Sequence, residues 1–426
     1  MRNLEKILEG MNDKKILVIG DLMLDKFVYG DVERISAEAP IPILKIARKE
    51  YNPGGAGNTA NNVASLNGKA IVVGIVGNDN EGKILLEEFS KRNISIDGIF
   101  IDETRPTVQK TRVVSGTRQM MRFDYETDQD INNILMEKIN NYLSEKIQDF
   151  EAIIVSDYAK GTITEKIAKN LIDLSLKYDK TIVVDTKPRH AGFYKNITLL
   201  KPNLKEAMEI SGEEDLNLIG RKLIERFNSN ILITRGKEGM SLFLKNGNYI
   251  EIPTKARDVF DVSGAGDTVL ATVGLALSAN ASLEDAVYLA NIAGGLVVER
   301  KGVVSATQDD IKQYLKIPIM PKVWGEEHWL VNDSYCGKRL ILKQGYRCSL
   351  HYHKEKDETF YVAKGKVLLE LNERKITMNP GDSQRIRPMD VHRFSGLEDS
   401  EIIEISTHHD EEDSYRIELS GKFDGA

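Results

Sequence analysis

The chain contains 426 residues, of which 41% are hydrophobic and 29% charged, and this suits two or three folded domains with ordinary cores. Its formal net charge of −7 shows no basic excess of the kind that follows nucleic-acid phosphates, so we expect no nucleic-acid partner. The N-terminus is charged and no apolar run approaches about 18 residues, so we expect no signal peptide and no membrane partner. Only Cys336 and Cys348 are present, which is typical of a reducing compartment and predicts a cytoplasmic protein.

Residues 15–315 alternate short apolar runs with amphipathic stretches. The apolar runs are KKILVIGD, AIVVGIVG, EAIIVSD, KTIVVDTK, ITLLKPN and ILITRG. Helix-like stretches lie between them, for example residues 163–180 and 204–211. Alternation of this kind predicts an α/β fold in which a parallel sheet carries helices on both faces.

Two stretches interrupt the alternation. Residues 25–50 and 107–126 alternate polar and apolar side chains, as partly exposed strands do. Pro40 and Pro42 suit an edge strand better than a central one, because proline cannot donate to the ladder. We predict a small projecting sheet that covers the substrate or pairs with a second subunit.

The pattern changes after residue 315. Pro318 and Pro321 lie in a segment typical of a linker, and short strands with turn signals follow it. This spacing predicts a compact all-β barrel of about 100 residues. We therefore place the domains at residues 1–316 and 317–426.

The residues 258–268, DVFDVSGAGDT, carry the clearest chemical signal. Gly264, Ala265 and Gly266 have little or no side chain, so their N–H groups can approach an anion at a helix start. Asp267 follows directly and is placed to accept a proton from a hydroxyl nucleophile. A charge-stabilising turn beside a base is what phosphoryl transfer requires, whereas a capped, tightly packed helix start is the alternative.

A second glycine-rich segment spans residues 52–68. Gly54, Gly55 and Gly57 permit a close backbone turn before a helix. Asn58 and Asn62 offer donors and acceptors suited to sugar hydroxyl groups. By itself a glycine-rich turn before a helix is weak evidence of function, and it counts here because residues 258–268 accompany it.

These two segments, with GDLMLD at 20–25, resemble the ribokinase (PfkB) family of carbohydrate kinases over about residues 12–315. Within that family they look like the D-glycero-β-D-manno-heptose-7-phosphate kinases, which form half of bifunctional heptose kinase/adenylyltransferases. The resemblance implies ATP- and Mg²⁺-dependent phosphorylation of the heptose phosphate at O1, giving the 1,7-bisphosphate. Another sugar or sugar phosphate is the alternative substrate. No His-x-Gly-His motif follows residue 315, so we predict no adenylyltransferase half.

The resemblance implies a role for each matching position. Asp267 becomes the catalytic base and the turn before it the anion hole. Two departures are Ser263, where relatives often carry Thr, and residues 185–190, where close relatives differ. The sugar-binding positions are Asp21, Gly54, Gly55 and Asn58; the positions near Mg²⁺, phosphates and nucleotide are Asn203, Glu206, Thr234, Gly236, Gly239 and Asn291.

A substrate that already bears a phosphate needs cations near its far end. The candidates lie on the projecting strands and the SDYAKG turn, and we expect at least two of them to contact the phosphate. A solvated charged face is the alternative for each. They are Arg34, Lys110, Arg112, Arg122 and Lys160.

A metal-ligand pattern occupies the C-terminal region. His351 and His353 are two residues apart on a predicted strand and therefore point to one face, while Glu358 and His392 supply further ligands. Such a set suits Zn²⁺, Mn²⁺, Fe²⁺ or Ni²⁺. With Gly345 and Gly365 the pattern resembles the cupin superfamily, a double-stranded β-helix barrel.

The second cupin motif is only partly kept, since Arg387 and Met389 replace the usual Pro and Gly. Residues 320–420 look like the cupins of sugar isomerases such as type II phosphomannose isomerase. That resemblance implies a metal-dependent sugar-phosphate isomerase or epimerase. The alternative is a non-catalytic cupin that senses sugar or joins subunits. Because related kinases pair through the projecting sheet, we expect a homodimer.

Overall fold

The computed structural model describes residues 4–116, 118–254, 264–300, 302, 304–316, 319–332 and 334–423. The chain divides into two compact units, Met1–Lys312 and Gln313–Ala426. No helix in the described part of the chain is long and apolar enough to cross a membrane. Both cysteines, Cys336 and Cys348, are free and buried.

Helices and strands alternate along the first unit as the sequence predicts. Its described helices are α1 Leu4–Gly10, α2 Ala56–Ser65, α3 Asn80–Lys91, α4 Asn133–Lys146, α5 Glu165–Lys177, α6 Leu204–Ser211, α7 Leu216–Phe227, α8 Ala265–Ser278, α9 Leu283–Val298 and α10 Gln308–Lys316. Its described strands are β1 Lys15–Gly20, β2 Leu22–Ile35, β3 Pro42–Gly55, β4 Lys69–Gly77, β5 Ser95–Asp102, β6 Val108–Ser115, β7 Arg118–Tyr125, β8 Ala152–Asp157, β9 Thr181–Thr186, β10 Leu199–Leu200, β11 Asn230–Thr234, β12 Met240–Phe243 and β13 Tyr249–Ile252.

Nine strands form the main sheet, in the order β13-β12-β11-β10-β9-β8-β1-β4-β5. Strands from β11 to β5 in that order pair in parallel, and the hairpin of β12 and β13 extends one edge antiparallel. The predicted α/β fold with a parallel sheet is confirmed. Because parallel strands end at one edge, the residues that follow β1, β8, β9 and β10 lie close together.

The two faces of this sheet explain why its strands read as continuous apolar runs. Side chains such as Ile153 and Val155 pack in one buried cluster with α4, α5, α6 and α7. On the opposite face, α8 lies so close to β8 that a methyl group added at Gly274 would stand 2.6 Å from Cδ1 of Ile154. A sheet covered on both faces excludes water from all positions of its central strands.

The predicted projecting sheet is present as well. It has four strands in the order β3-β2-β6-β7, with β2 and β3 paired along 14 residues each. Pro42 is the first residue of the edge strand β3, where its missing N–H removes no ladder hydrogen bond. All eight residues of the other edge strand, β7, are exposed.

The second unit consists of two antiparallel sheets around one core, consistent with the predicted all-β barrel. Phe360 and Ile402 from one sheet pack with Leu369 and Phe394 from the other. Its described strands are β14 Ile319–Lys322, β15 Gly325–Asn332, β16 Tyr335–Leu342, β17 Tyr346–Arg347, β18 Leu350–Tyr352, β19 Glu358–Lys364, β20 Val367–Leu371, β21 Arg374–Met378, β22 Ser383–Ile386, β23 His392–Gly396, β24 Ser400–Thr407, β25 Tyr415–Glu418 and β26 Gly421–Lys422.

Candidate active site and candidate metal centre

Asp267 lies in the first turn of α8, after the cap residue Gly264, whose φ of +81° is in the left-handed region. Its side chain is buried, and three donors surround the carboxylate. The Asn58 amide donates to Oδ2 at 2.7 Å, and the hydroxyls of Tyr158 and Thr59 donate to Oδ1 at 3.1 and 3.3 Å. The structure thus brings the predicted base together with the predicted sugar-binding residue Asn58.

The electrostatic setting of Asp267 suits a base. Burial raises its pKa to about 6, because an ionised carboxylate loses its hydration inside the protein. The hydrogen bond from Asn58 opposes this rise, the carboxylate of Asp185 adds to it, and Lys201 opposes it. A base whose pKa lies near the working pH accepts a proton efficiently during a reaction.

The predicted anion-binding turn, Gly264–Gly266, forms the start of α8. Helix N-termini favour anions because their first N–H groups have no partner within the helix. A buried cation reinforces this end, since a methyl group built on Gly266 would lie 3.6 Å from Nζ of Lys201. Ser263 and the rest of residues 258–263 lie outside the described residues.

Helix α2 carries Asn58 and Thr59 to the base because it packs directly against α8. Asn62 joins the two helices: its Oδ1 accepts from the Thr268 hydroxyl at 2.8 Å, and its amide donates to the Asn58 carbonyl at 2.9 Å. Asn62 therefore holds the two helices together, and its amide is not free to meet a sugar. Gly55 precedes α2 with a φ of +58°, and a methyl group there would lie 2.4 Å from the Asp21 carbonyl oxygen.

A cavity of about 940 Å³ opens beside the N-terminus of α8, with Ala265 and Gly266 in its wall. Such a volume is ample for a nucleotide. All six residues that the sequence assigns to the nucleotide and its Mg²⁺ line this cavity. They are Asn203, Glu206, Thr234, Gly236, Gly239 and Asn291.

Local hydrogen bonds explain how these residues are placed. Asn203 and Glu206 form a capping box at the start of α6, at 2.9 and 3.0 Å, so the Asn-x-x-Glu motif first shapes the helix end. Gly239 has a φ of +86°, and a methyl group there would lie 2.1 Å from the Ile252 carbonyl oxygen. Asn291 donates to the Pro253 carbonyl at 2.7 Å.

Two lysines and a carboxylate in the same cavity were missed by the sequence analysis. Lys201 pairs with Asp185 at 2.7 Å, and Lys187 donates to Oε1 of Glu206 at 2.6 Å. Burial raises the pKa of Asp185. Burial opposes the charge of Lys187, but the bond to Glu206 outweighs it and raises the lysine pKa. Asp185 and Lys187 belong to the segment 185–190, which the sequence analysis noted only as a departure from close relatives and to which it gave no role.

The role expected for Asp21 needs correction. Its Oδ2 accepts from the N–H groups of Tyr158 and Lys160 at 2.9 and 3.0 Å, and its Oδ1 accepts from Thr162 at 3.0 Å. The residue is 1% exposed. Because both oxygens accept from backbone N–H groups of the SDYAKG turn, the observed role of Asp21 is to position Tyr158.

Asp25, the second carboxylate of the GDLMLD motif, is only partly buried. A methyl group at Gly54 would approach its Oδ2 to 2.7 Å, so Gly54 leaves room for this side chain. Arg112 pairs with Oδ1 of Asp25 at 2.5 Å. The motif GDLMLD contains both Asp21 and Asp25, and only the strand pairing shows which of them is accessible.

The five predicted phosphate-binding cations do not share one place. Lys110 lies 5.7 Å from the ring centre of Tyr158, and Arg112 is directly opposite Arg122 on β6 and β7. Lys160 is already paired with Glu126. Arg34 is exposed near the end of β2, nine residues beyond Asp25 (34 − 25), which spans roughly 25–30 Å of strand. Of these five, Lys110 has an observed link to the base, through Tyr158, and Arg112 lies two residues farther along the same strand, paired with Asp25.

In the second unit, the three predicted histidines converge. The ligand atoms of His351, His353 and His392 all lie within 4.8 Å of one another. Burial lowers the pKa of His351 to about 3 and also lowers that of His353, so both imidazoles are neutral at ordinary pH. Neutral imidazole is the form that binds metals. Glu358, the fourth predicted ligand, is buried beside them.

The hydrogen bonds of these rings leave the same nitrogen available in each. The Nδ1 atoms of His351, His353 and His392 lie 2.9, 2.7 and 3.0 Å from the carbonyl oxygens of residues 349, 413 and 390. Each Nδ1 is then the protonated nitrogen, and each Nε2 carries a lone pair. This pattern is typical of histidines that bind a metal through Nε2.

Glu358 completes the test of fit for a metal. Its Oε1 is 2.8 Å from Nε2 of His392 and 3.7 Å from Nε2 of His353. Oε1 of Glu358 and Nε2 of His392 are buried without a hydrogen-bond partner among the described residues. A proton or a divalent cation between these two atoms would relieve the repulsion of their lone pairs, and the convergence of three imidazoles with the carboxylate fits the divalent ion.

Comparison with known proteins assigns the class. The description "pfkB family carbohydrate kinase" matches residues 13–310, and "Cupin domain" matches residues 338–421. The chain belongs to the pfkB family of carbohydrate kinases and carries a C-terminal cupin domain. It is thus a carbohydrate kinase, as the sequence analysis predicts.

Particular relatives share a name. The chain is 42% identical over 316 residues to the "Bifunctional protein HldE" of Geobacter metallireducens, covering 73% of this chain and 64% of that protein. It is 34% identical over 369 residues to the protein of that name from Syntrophotalea carbinolica, covering 85% and 72%. The chain thus spans less than two thirds of the length of the Geobacter relative.

Solved structures share the fold of the first unit. Ribokinase from Arabidopsis thaliana, complexed with ribose and ATP, gives a TM-score of 0.56 at 17% identity, covering 72% of this chain and all of that one. Phosphofructokinase-2 from Escherichia coli gives 0.57 at 19% identity, covering 71% and 97%. At such identities the likeness concerns the fold alone, and it confirms the predicted ribokinase-like architecture.

Proposed function

We propose that the first unit transfers the γ-phosphoryl group of ATP to O1 of D-glycero-β-D-manno-heptose 7-phosphate, giving the 1,7-bisphosphate. The observation that carries the proposal is Asp267, a buried carboxylate with a pKa of about 6 at the start of α8, beside a cavity of about 940 Å³. The choice of a heptose phosphate rests on the motif resemblance and on relatives named HldE.

In the proposed mechanism Asp267 accepts the proton of the attacking hydroxyl group. Asn58 and Tyr158 hold the carboxylate in place through its two oxygens. The first N–H groups of α8, with Lys201 nearby, stabilise the charge that develops on the transferred group. Bound Mg²⁺ neutralises phosphate charge, and Asn203, Glu206 and Asp185 are the oxygen-bearing residues that would hold it.

The far phosphate of the substrate is assigned to Lys110 and Arg112. Lys110 lies over Tyr158, which itself contacts Asp267, so a sugar between these groups would have one end at the base and the other near the lysine. Arg112 shares its charge with Asp25 in the absence of ligand. Arg122, opposite Arg112, is a third candidate, whereas Arg34 and Lys160 lie farther away or are already paired.

For the second unit we infer a metal-dependent isomerase or epimerase acting on a sugar phosphate. Three imidazoles with free Nε2 atoms and the unpartnered Oε1 of Glu358 support a divalent metal there. His351, His353, His392 and Glu358 would hold the metal, which would supply Lewis-acid chemistry at a sugar oxygen, and the proposed isomerisation also needs a protein group to move a proton between neighbouring carbons. Fused to a kinase, such an activity would link consecutive steps on one sugar. A sugar-sensing or subunit-joining cupin is the alternative.

We further propose that the protein works as a homodimer in the cytoplasm. Large exposed hydrophobic side chains concentrate on the projecting sheet, and burying them against a second copy would remove them from water. Two free, buried cysteines agree with a reducing compartment. The exposed hydrophobic residues on that sheet include Val32, Ile35, Ile46, Met120, Met121, Phe123 and Tyr125.

A coupled assay of ADP release tests the proposal. The panel includes D-glycero-D-manno-heptose 7-phosphate, sedoheptulose 7-phosphate and fructose 6-phosphate. Release with the aldoheptose is the expected result, and activity only with another sugar overturns the heptose assignment while leaving the kinase class intact. Release from sedoheptulose 7-phosphate that disappears in His351→Ala supports the isomerase. If that release is absent in the native protein, the alternative cupin role is favoured.

A further inference from the structure

The cavity of the second unit contains a row of buried charges beyond the predicted metal ligands. This cavity measures about 450 Å³ and is lined by the histidine pair His351 and His353 together with three lysines, three glutamates and one arginine. Lys356 donates to Oε2 of Glu358 and to Oε1 of Glu404, both at 2.5 Å. We call Glu358, Lys356, Glu404 and Lys338 the charge row.

The last member of the charge row reaches deeper into the cavity wall. Lys338 lies 3.8 Å from Oε1 of Glu404 and 3.2 Å from Nδ1 of His409. Its Nζ also lies 4.1 Å from the ring centre of Trp329. All four side chains of the row are between 1% and 6% exposed. Removing four charges from water costs several kcal/mol each before pairing offsets it, so the barrel keeps them at a cost in stability.

The charge row gives the two oxygens of Glu358 different partners. Oε2 is held by Lys356, while Oε1 makes no hydrogen bond within the described chain and approaches Nε2 of His392 and His353. Without Lys356 the carboxylate could rotate about its last bond and present both oxygens to the histidines. With Lys356 in place, only one oxygen is aimed at them.

The charges that line the cavity are nearly balanced. Within the row, Lys338 and Lys356 offset Glu358 and Glu404, and the rest of the lining adds Lys322 and Arg416 against Glu327. The lining thus carries one more cationic than carboxylate side chain, and a divalent ion on the histidines would add two further positive charges. In a buried site such an excess favours an anionic ligand.

We propose that Lys356 is a positioning residue that restricts Glu358 to one metal-binding oxygen, and that the metal-loaded cavity takes an anionic oxygen ligand whose charge Lys338 meets. The sequence analysis did not single out Lys338, Lys356 or Glu404. The inference rests on the metal centre proposed above and is independent of the kinase reaction.

The test uses the full chain stripped of metal and reloaded with one equivalent of Co²⁺, with no nucleotide present. The visible absorption of Co²⁺ reports the number and kind of its ligands, and oxalate serves as the anionic oxygen probe. We expect the native chain to show a cobalt band that His351→Ala abolishes and that oxalate shifts in a saturable way. Oxalate bound elsewhere on the protein leaves this band unchanged.

Two variants separate the two parts of the proposal. Lys356→Met should alter the cobalt band before oxalate is added, because Glu358 is released to bind through both oxygens. Lys338→Met should leave that band unchanged but weaken oxalate about tenfold or more, the cost of losing one charge-assisted contact. Lys375→Met, at an exposed position on β21, is the matched control and should change neither quantity.

Loss of Lys356 leaves Glu358 and Glu404 without their shared cation, so folding is checked with the double variant Lys356→Met/Glu404→Gln, which removes one charge of each sign. An unaltered band in both folded variants overturns the positioning role. Oxalate affinity that is equal in the native chain and Lys338→Met overturns the anionic-ligand assignment. If native protein binds no Co²⁺, the metal centre itself is wrong, which is a separate outcome.

Discussion

Asp267 receives hydrogen bonds from helix α2 and from the SDYAKG turn, both of which lie far from it along the chain. Asn58 is 209 residues away along the chain and Tyr158 is 109 residues away. Burial raises the pKa of Asp267 to about 6, while these donors oppose the rise. The carboxylate is therefore protonated below about pH 6, where it cannot accept a proton, and ionised and able to act as a base above it.

Asp267→Asn should lower kcat by about 10²–10⁴-fold, which is the usual contribution of a general base. The amide has nearly the same shape, so the affinity for ATP, measured by calorimetric titration, should change little. Asp173→Asn, at an exposed carboxylate on α5, serves as the control. Near-native turnover in Asp267→Asn would remove Asp267 from the mechanism.

Tyr158→Phe should shift the acid limb of the kcat–pH profile from about pH 6 to a higher pH. The hydroxyl stabilises the ionised form of Asp267, so its loss raises the carboxylate pKa further, by up to about one unit. Phenylalanine keeps the aromatic ring that lines the cavity, so KM for ATP should not change. The measurement is kcat between pH 5 and pH 9.

Tyr194→Phe is a matched control for this experiment. Tyr194 is also buried, and its hydroxyl donates to a different carboxylate, Asp157, at 2.8 Å. The control should leave the acid limb where it is in the native protein. If the acid limb lies at the same pH in the native protein and in both variants, the Tyr158 hydroxyl does not affect the pKa of Asp267.

At the scale of elements, the loop between β11 and β12 contains two glycines with positive φ that differ in the space available for a side chain. Gly239 has a φ of +86° and no space for a side chain beside the Ile252 carbonyl. Gly236 has a φ of +57°, but a methyl group there meets no atom within 4 Å. Both line the cavity assigned to the nucleotide.

Gly239→Ala should therefore displace the loop and raise KM for ATP strongly, by about tenfold or more, because steric overlap adds to backbone strain. Gly236→Ala carries only the strain of a left-handed alanine, about 1 kcal/mol, and should have the smaller effect. The comparison is made by ATP titration of both variants. Equal losses would show that the close approach at Gly239 has no bearing on ATP.

At the scale of the whole molecule, each unit has a hydrophobic core of its own. Calorimetry should therefore show two transitions that respond to different ligands. ATP at about 100 times its Kd should stabilise the first unit by about 2.7 kcal/mol, and metal chelation should destabilise only the second. A single transition moved by both treatments would contradict separate cores.

The proposed homodimer is tested on the projecting sheet. Met121 and Phe123 lie on β7, 60% and 50% exposed, and Met121→Lys/Phe123→Lys should convert the dimer to a monomer in sedimentation. Ile134→Lys replaces an equally exposed residue on α4, outside the sheet, and should leave the mass unchanged. A native protein that sediments as a monomer at micromolar concentration would sink the dimer.

Local pattern was enough to predict most of the elements. Apolar runs of six to eight residues became buried strands because both faces of a parallel sheet exclude water, and Pro42 marked an edge strand because it lacks an N–H. The run ITLLKPN is the weakest case, since only Leu199–Leu200 pair as a strand there. The ends of this strand depend on its pairing with β9 and β11, and the local sequence pattern carries no information about those partners.

The predicted nucleotide residues all line one cavity, some placed by local signals such as the capping box of Asn203 and Glu206 and the left-handed glycines Gly236 and Gly239, and others, such as Asn291 on α9, placed by helix packing. The sequence by itself therefore determined the fold class, the helix start at Asp267 and the histidine set. Only the tertiary structure decided that Asp21 accepts hydrogen bonds from backbone amides while Asp25 stays accessible. It also decided that Lys356 and Lys338 flank Glu404. Those roles depend on which side chains meet across the sheets, since burial and partners, not residue type, determine what a charged group can do.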